Sequence, residues 1–160
     1  MEPGCATRAS SNPAIPAPAS RSTTSFMARK TECYVDTSGF IAFLDKSDSF
    51  HALYRRLFAN PPPLVTSALV IAEGHGWFLR RYDQYRAVQF LAFVEALPAL
   101  TIEAFDSAGL ERASRIVKKY PGQKLTLADA HGLAILQARR SPVCWSTDRH
   151  LGLGGVPLVG

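Results

Sequence analysis

The sequence predicts an α/β fold: a three-layer α/β/α sandwich with a small, mostly parallel sheet. From residue 31 onward, short apolar runs that are typical of buried strands alternate with longer segments of helical periodicity. Helical segments stand between most consecutive strands, and parallel strands need such crossover connections. A chain of 160 residues is long enough to form one domain of this kind with a sizeable core.

The predicted strands are all short, and breaker residues separate several of them from the helices. Pro61 to Pro63 interrupt the chain before the second strand, and Pro121-Gly122 stop a later helix. We predict strands over 32–36, 64–67, 100–105, 142–147 and 156–159, and helices over 38–45, 48–59, 67–81, 83–97, 106–119 and 126–140.

Residues 1–30 differ in composition from the rest of the chain, because they are rich in Pro, Ala, Ser and Thr. Such a segment has little to bury, so we expect a disordered tail. Two alternatives stay open: a transit peptide, which its Arg- and Ser-rich composition resembles, and a mis-called start with Met27 as initiator. The folded domain is predicted over 31–160. Of the formal net charge of +5, the tail contributes +3, so bulk charge does not identify a nucleic-acid partner for the domain.

The cysteine pattern and the hydropathy exclude several classes of protein. The 3 cysteines are far apart and form no CxxC pair, so a structural zinc site or a disulfide framework is not expected. Cys33 and Cys144 lie in strand-like runs, where they are predicted to be small buried residues. Unpaired thiols favour a reducing compartment, and we expect the cytoplasm. The most apolar window, 90–100, contains Glu95 and Pro98 and is too short to span a membrane.

Asp36 stands directly after the first predicted strand, in the segment YVDTSGF. An Asp in this place caps the following helix by accepting backbone N–H bonds. The place is also the carboxyl end of a strand, where functional groups gather in open α/β sheets. Both roles stay open for Asp36.

Glu73 lies one or two turns into the helix after the second strand, on a face with Leu69, Val70 and Trp77. A carboxylate on an apolar face is costly to bury unless it is paired or binds a cation. The alternative is a position at the edge of this face, from which the side chain reaches solvent.

Asp129 and Asp148 also have local explanations. The spacing of Thr126 and Asp129 matches a capping box, with Asp in place of the usual Glu. Asp148, just past the strand 142–147, is in the position of a turn residue or of a helix cap.

The four acids nevertheless share one location in the predicted sheet. Three fall at strand ends or helix starts and Glu73 lies near one, so all four lie along one edge. Four carboxylates there would repel one another and raise one another's pKa values. A divalent cation removes this repulsion, and oxygen ligands without His or Cys favour Mg²⁺ or Mn²⁺ over zinc.

Residues 32–160 resemble a PIN domain, and most closely a VapC-type toxin ribonuclease. The resemblance rests on four segments in this order: YVDTSGFIAFLDKSDSFH (34–51), LVTSALVIAEG (64–74), LTLADAHGLAI (125–135) and CWSTDRHL (144–151). It implies a sheet of order 3-2-1-4-5 with helices on both faces. It also implies that Asp36, Glu73, Asp129 and Asp148 form an acidic quartet that hydrolyses RNA phosphodiesters with Mg²⁺ or Mn²⁺.

Gly74 and Gly76 depart from this pattern, because bulkier helix formers are expected after Glu73. Each glycine weakens a helix by roughly 1 kcal/mol relative to alanine. We expect them to allow close packing.

We hypothesise that Asp36 and Asp129 are the main metal ligands, and that Glu73 and Asp148 hold a second ion or orient the attacking water. Bound ions lower the pKa of water and neutralise the scissile phosphate. Three hydroxyl residues are candidates to support the metal ligands through hydrogen bonds, or to serve as caps: Thr37, Ser38 and Thr147. Arg149 is a candidate to bind the RNA backbone.

The resemblance also implies partners. VapC-type toxins are inhibited by a small antitoxin, often as dimers of heterodimers, so a cognate antitoxin and a homodimer are expected. Aromatic residues beyond the need of the core would suit a groove for an antitoxin helix or a homodimer face. The candidates are Phe43, Phe50, Tyr54, Phe58, Trp77 and Phe78.

Other functions remain to be compared with the nuclease hypothesis. A PIN-like module could bind RNA or act as a scaffold without catalysis, although the presence of all four acids argues against it. A phosphatase of the dehalogenase type needs a second Asp in DxDx[TV], and Asp36 is followed by Thr-Ser-Gly. A nucleotide-binding fold ranks lower, because the sequence has no GxGxxG or Walker motif.

Overall fold

The computed structural model describes Met1 and residues 31–160, so the predicted tail lies, apart from Met1, outside the described residues. The described chain alternates short strands with helices, as predicted. In chain order the elements are β1 (Cys33–Val35), α1 (Thr37–Leu44), α2 (His51–Ala59), β2 (Leu64–Ser67), α3 (Ala68–Arg81), α4 (Gln84–Ala96), β3 (Leu100–Glu103), α5 (Ser107–Lys119), α6 (Leu127–Arg139), β4 (Cys144–Trp145) and the 3₁₀ helix η1 (Arg149–Gly154).

The four strands form one parallel sheet in the order β3-β2-β1-β4. β1 is central: Tyr34 pairs with Val65 of β2 on one side and with Cys144 of β4 on the other. The strand predicted over 156–159 is reduced to a single bridge between Leu158 and Cys144. Its position beside β4 matches the fifth place of the implied order, but Cys144 is the only residue of β4 that pairs with it.

Neighbouring residues of β1 pack against helices on opposite faces of the sheet, as the period of two in a strand requires. The Tyr34 ring lies against Gly132 of α6, and the Val35 side chain lies near Gly39 of α1. The sheet is therefore the middle layer of an α/β/α sandwich, which confirms the predicted fold class.

An aromatic cluster fills the space between the sheet and the helices on the α1 face. Phe58 of α2 meets Trp145 of β4 edge to face, with ring centroids 5.2 Å apart. Phe40 contacts Phe58, Phe90 and Phe93 in the same cluster. Such pairs each add about 0.5–1.5 kcal/mol beyond the area that they bury.

Some of the six aromatic residues proposed for a groove therefore belong to the core. Tyr54, Phe58 and Phe78 are buried, whereas Phe50 is exposed. Phe43 and Trp77 are partly buried against the core.

Gly74 has a packing role that explains the departure seen in the sequence. A Cβ atom at this position would lie 2.5 Å from Cζ of Phe90, so only glycine lets α4 approach α3 this closely. Gly76 differs, because a Cβ there would meet only the flexible guanidinium of Arg80.

Cys33 and Cys144 are free and buried, as predicted. Their side chains point to opposite faces of the sheet, because Cys144 is the partner of Tyr34 and not of Cys33. Within the described part of the chain, no helix has the length and apolar character that a bilayer crossing requires.

Candidate metal centre

Asp36 forms the junction between β1 and α1 and caps the helix with its side chain. Its backbone is extended, with φ −92° and ψ 167°, so the chain changes from strand to helix at this residue. Its Oδ2 accepts hydrogen bonds from the Ser38 backbone N–H at 3.3 Å and the Ser38 hydroxyl at 2.8 Å. The Ser146 hydroxyl donates a third bond at 3.0 Å. All three bonds end on Oδ2, and Oδ1 takes none of them.

The carboxyl group of Asp36 lies in a buried environment, since the residue is only 7% exposed. This burial raises its pKa above the usual range. Hydrogen bonds from Ser38, Ser146 and the Thr37 backbone favour the charged form and oppose the rise. A buried carboxylate costs folding free energy, and a neighbouring cation would offset that cost.

The hydroxyls of Ser38 and Ser146 lie 3.2 Å apart and link the ends of β1 and β4. Ser38 Oγ accepts the backbone N–H of Thr147 at 3.0 Å, and Ser146 Oγ accepts that of Asp148 at 2.9 Å. Because each hydroxyl accepts a backbone hydrogen, its own proton is free to point at Asp36. This network joins Asp36 to the turn that carries Asp148.

Glu73 is exposed on α3, but it is coupled to the other acids. Oε2 of Glu73 accepts a hydrogen bond from the Thr37 hydroxyl at 3.0 Å. Partial desolvation raises the pKa of Glu73, the Thr37 bond lowers it, and the charges of Asp36, Asp129 and Asp148 raise it further. Because Thr37 is the residue after Asp36, its bond to Glu73 places this carboxylate beside the end of β1.

Asp129 and Asp148 are each held by a cap interaction. Asp129 completes the capping box of α6: Oδ2 accepts the Thr126 N–H at 2.8 Å, and the Asp129 N–H donates to the Thr126 hydroxyl at 3.1 Å. Asp148 caps η1, where Oδ1 accepts the N–H of His150 at 2.9 Å. These bonds fix both carboxylates at the same edge.

His150 also lies at this edge, and the sequence analysis did not select it. Its Nδ1 lies 3.2 Å from Oδ1 of Asp148 and 4.0 Å from Oδ2 of Asp129. Ligand atoms of these three residues lie within 4.8 Å of one another. The sequence held a usable signal for His150. A cap at Asp148 accepts the backbone N–H of the residue two positions later, and this brings His150 close to the Asp148 carboxylate.

The two histidines that the sequence placed beside acids have different surroundings. His131 is buried, with Nδ1 2.7 Å from the Ser67 hydroxyl and its ring packed edge to face on Phe105. His131 is therefore part of the core. His75 is half-buried on α3.

Thr147 and Arg149 lie on the turn between β4 and η1, and both are exposed. Thr147 contributes its backbone N–H to the network, while its hydroxyl forms no hydrogen bond with any residue that the structure describes. In this segment, the hydroxyl that donates to Asp36 is that of Ser146, one residue before Thr147. Its signal in the sequence is a polar residue that ends the apolar run VCW.

The residues at this edge fit a divalent cation. Among the described residues, Asp129, Asp148 and His150 bring ligand atoms within 4.8 Å of one another. Asp36 and Glu73 lie outside this group, but Ser146 ties Asp36 to the Asp148 turn, and Thr37, next to Asp36, bonds Glu73. Burial raises the pKa of both, and Asp36 keeps Oδ1 clear of its serine bonds. Oxygen-rich sites of this kind suit hard cations such as Mg²⁺ and Mn²⁺.

Known structures share this fold. VapC20 from Mycobacterium tuberculosis, described as a sarcin–ricin loop cleaving toxin, is 23% identical with a TM-score of 0.71, over 78% of this chain and 95% of that chain. VapBC2 from Rickettsia felis, bound to a DNA fragment from its promoter, is 14% identical with a TM-score of 0.54, over 80% and 97%. FitAcB from Neisseria gonorrhoeae is 16% identical with a TM-score of 0.55, over 80% and 96%. At these identities the likeness shows the fold alone.

Comparison at the level of sequence gives the family. No curated protein sequence matches the chain. Residues 33–152, which run from β1 into η1 and include all four acids, match the PIN domain. The resemblance drawn from the sequence is thereby confirmed at this level, and the chain belongs to the PIN domain family.

Proposed function

We propose that this protein is a Mg²⁺- or Mn²⁺-dependent endoribonuclease, the VapC-type toxin of a toxin–antitoxin pair. The observation that carries the proposal is the placement of the acids at one edge of the sheet. Asp129 and Asp148 bring ligand atoms within 4.8 Å of each other, Ser146 bonds both the Asp36 carboxylate and the Asp148 backbone, and Thr37, the residue after Asp36, bonds Glu73. Membership of the PIN domain family supports a nuclease. The similarity to VapC20, a toxin that cleaves the sarcin–ricin loop, supports RNA as the substrate.

The proposed roles follow from the contacts of each residue. Bound ions would lower the pKa of water and neutralise charge on the scissile phosphate. Asp36 and Asp129 are the proposed main ligands, each held rigid by a cap. Glu73, oriented by Thr37, and Asp148 are proposed to complete the ligand set or to position the attacking water.

Several neighbouring groups are proposed to support these ligands. Ser38 and Ser146 hold Asp36 through hydroxyl bonds of 2.8 and 3.0 Å. In metal sites, partners of this kind orient the ligands and typically change affinity by about 10–100-fold when removed. Arg149, exposed beside Asp148, is proposed to bind an RNA phosphate.

The proposed protein partners are a cognate antitoxin and a second copy of the chain. The similarity to a VapBC2 complex supports the first. A cavity of about 320 Å³ between the ends of α1, α3 and α4 is lined by Phe78, Tyr82 and Phe90, among others. Tyr82 in this lining is exposed, as is Tyr85, which precedes the lining residue Arg86 in the chain, and we propose this region as the antitoxin groove.

RNA cleavage by the full-length chain tests the proposal. A pool of structured RNAs is incubated with wild type plus Mn²⁺, wild type plus EDTA, and Asp129→Asn plus Mn²⁺. The matched control is Asp83→Asn, which makes the same change at the cap of α4, away from the acidic edge. We expect cleavage by wild type and Asp83→Asn with Mn²⁺, and none in the other two reactions.

A thermal shift with Mn²⁺ separates the possible failures. RNA left intact in every reaction, with no rise in melting temperature, would overturn the proposal and favour a PIN module that binds without catalysis. Intact RNA with a clear Mn²⁺ shift would support the metal site and reject the tested RNAs as substrates.

A further inference from the structure

One side chain at the acidic edge offers a nitrogen instead of an oxygen. Nδ1 of His150 lies 3.2 Å from Asp148 Oδ1 and 4.0 Å from Asp129 Oδ2. Two ligand atoms that each lie about 2.1 Å from one ion are about 3 Å apart when adjacent and about 4.2 Å apart when opposite. Both measured distances fall within this range, so His150 has the spacing of a ligand that shares an ion with the two carboxylates.

The backbone holds the imidazole in this place. The N–H of His150 donates to Oδ1 of Asp148 at 2.9 Å, and the N–H of Leu151 donates to the Asp148 carbonyl at 3.3 Å. Leu151 is fully buried and anchors the first turn of η1. The ring of His150 therefore starts from a fixed backbone, with 23% of its side chain exposed to an incoming ion.

A nitrogen ligand changes which ion the site prefers. Mg²⁺ prefers oxygen ligands, whereas imidazole nitrogen suits first-row transition metals. Mn²⁺ is the first-row ion that also suits a carboxylate-rich site. We infer that His150 Nδ1 is a ligand of the proposed metal site and that the site therefore binds Mn²⁺ in preference to Mg²⁺. This inference rests on the proposed function, since it assigns a further ligand to the same site.

The competing explanation is that His150 only pairs with the two carboxylates and leaves when an ion binds. The two explanations differ in one observable. A ligand places its nitrogen directly on bound Mn²⁺, and a departing partner does not.

The test uses the full-length chain and Mn²⁺ as the probe. Pulsed electron paramagnetic resonance detects nitrogen coupled to bound Mn²⁺, and calorimetry gives the Mn²⁺ and Mg²⁺ affinities. The variants are His150→Gln, the matched control His75→Gln on α3, and Asp129→Asn. We expect a nitrogen signal in wild type and His75→Gln, and its loss in His150→Gln. We also expect the preference for Mn²⁺ over Mg²⁺ to fall by about tenfold or more in His150→Gln, the size seen when groups that support metal ligands are lost.

Wild type by itself can overturn the inference, whether or not His150→Gln folds. Mn²⁺ bound without a nitrogen signal would overturn the role of His150 and leave the proposed nuclease site intact. A signal that persists in a folded His150→Gln would also overturn it. If wild type bound no Mn²⁺ at all, or if Asp129→Asn bound it equally well, the proposed metal site itself would fail.

Discussion

The hydroxyl of Thr37 donates a hydrogen bond of 3.0 Å to Oε2 of Glu73 and so joins the start of α1 to the middle of α3. The same hydroxyl lies 3.4 Å from the carbonyl of Val70, one turn earlier in α3. Glu73 is exposed and has a long, rotatable side chain, so without this bond its carboxylate would sample several positions. Thr37 therefore orients the acid that lies deepest inside a helix, since Glu73 stands more than one turn into α3.

Replacing Thr37 with valine tests this orientation. Thr37→Val keeps the side-chain shape but removes the donor to Glu73, so we expect Mn²⁺ affinity to fall by about tenfold. Titration calorimetry measures the change. The matched control is Thr101→Val on β3, which is exposed outside the acidic edge and should leave Mn²⁺ binding unchanged. Equal affinities for wild type and Thr37→Val would show that Glu73 needs no support from Thr37.

The raised pKa of Asp36 predicts a dependence of stability on pH. Because burial raises this pKa in the folded state, the neutral form is favoured there, and the group's stabilising contribution is complete only below the unfolded value of about 3.9. That contribution is lost as the pH rises through the folded pKa. Asp36→Asn stays neutral and keeps an oxygen for Ser38 and Ser146. In EDTA at pH 7 it should therefore be more stable than wild type. At pH 4 its advantage over wild type should be smaller.

Thermal unfolding in EDTA at both pH values checks this prediction. Each 1 kcal/mol of relieved cost corresponds to about 2–4 °C in melting temperature for a chain of this size. Saturating Mn²⁺ at pH 7 should reverse the order, because it stabilises only the form with the intact ligand. A difference of the same size at both pH values would contradict the role of the buried charge.

Gly74 and Gly76 form a matched pair within α3. Gly74→Ala places a Cβ 2.5 Å from the ring of Phe90 and should lower the free energy of unfolding by about 1–3 kcal/mol. Gly76→Ala meets only the end of the Arg80 side chain, so it should raise stability by about 0.5–1 kcal/mol through helix propensity. Urea unfolding measures both. Similar effects of the two substitutions would rule out the contact with Phe90 as the cause.

Arg140 ends α6 in a left-handed conformation, with φ 52°. This conformation is strained for a residue with a Cβ and free of strain for glycine, so Arg140→Gly should raise stability by up to about 1 kcal/mol. The control is Arg115→Gly at an exposed position inside α5, where glycine should cost about 1 kcal/mol. Thermal unfolding distinguishes the two signs, and a loss of stability in Arg140→Gly would contradict the argument.

Those parts of the fold that depend on local rules are predictable from the sequence. The Thr126–Asp129 capping box and the cap at Asp36 both form as expected, because the interacting groups lie within three residues. The order of the strands came from the resemblance to a family and not from periodicity.

The features that were missed depend on distant parts of the chain. The bond from Ser146 to Asp36 spans 110 residues, so no local pattern identifies that hydroxyl as its donor. Glycine is needed at position 74 because the ring of Phe90, on α4, occupies the place of a Cβ atom. The last strand fails for a similar reason, since a strand needs pairing partners from a distant segment, and here only Cys144 of β4 pairs with the apolar run VPLV.

The link between Ser146 and Asp36 has a consequence for biosynthesis. β1 leaves the ribosome before β4 and the turn after it, and these later segments complete the acidic edge beside β1. A nascent or truncated chain that ends before residue 146 lacks both a donor to Asp36 and the carboxylate of Asp148. Such contacts between distant segments also form late in folding. The acidic edge is therefore assembled only after the turn that follows β4 has been made, and a product that ends before this turn carries an incomplete edge.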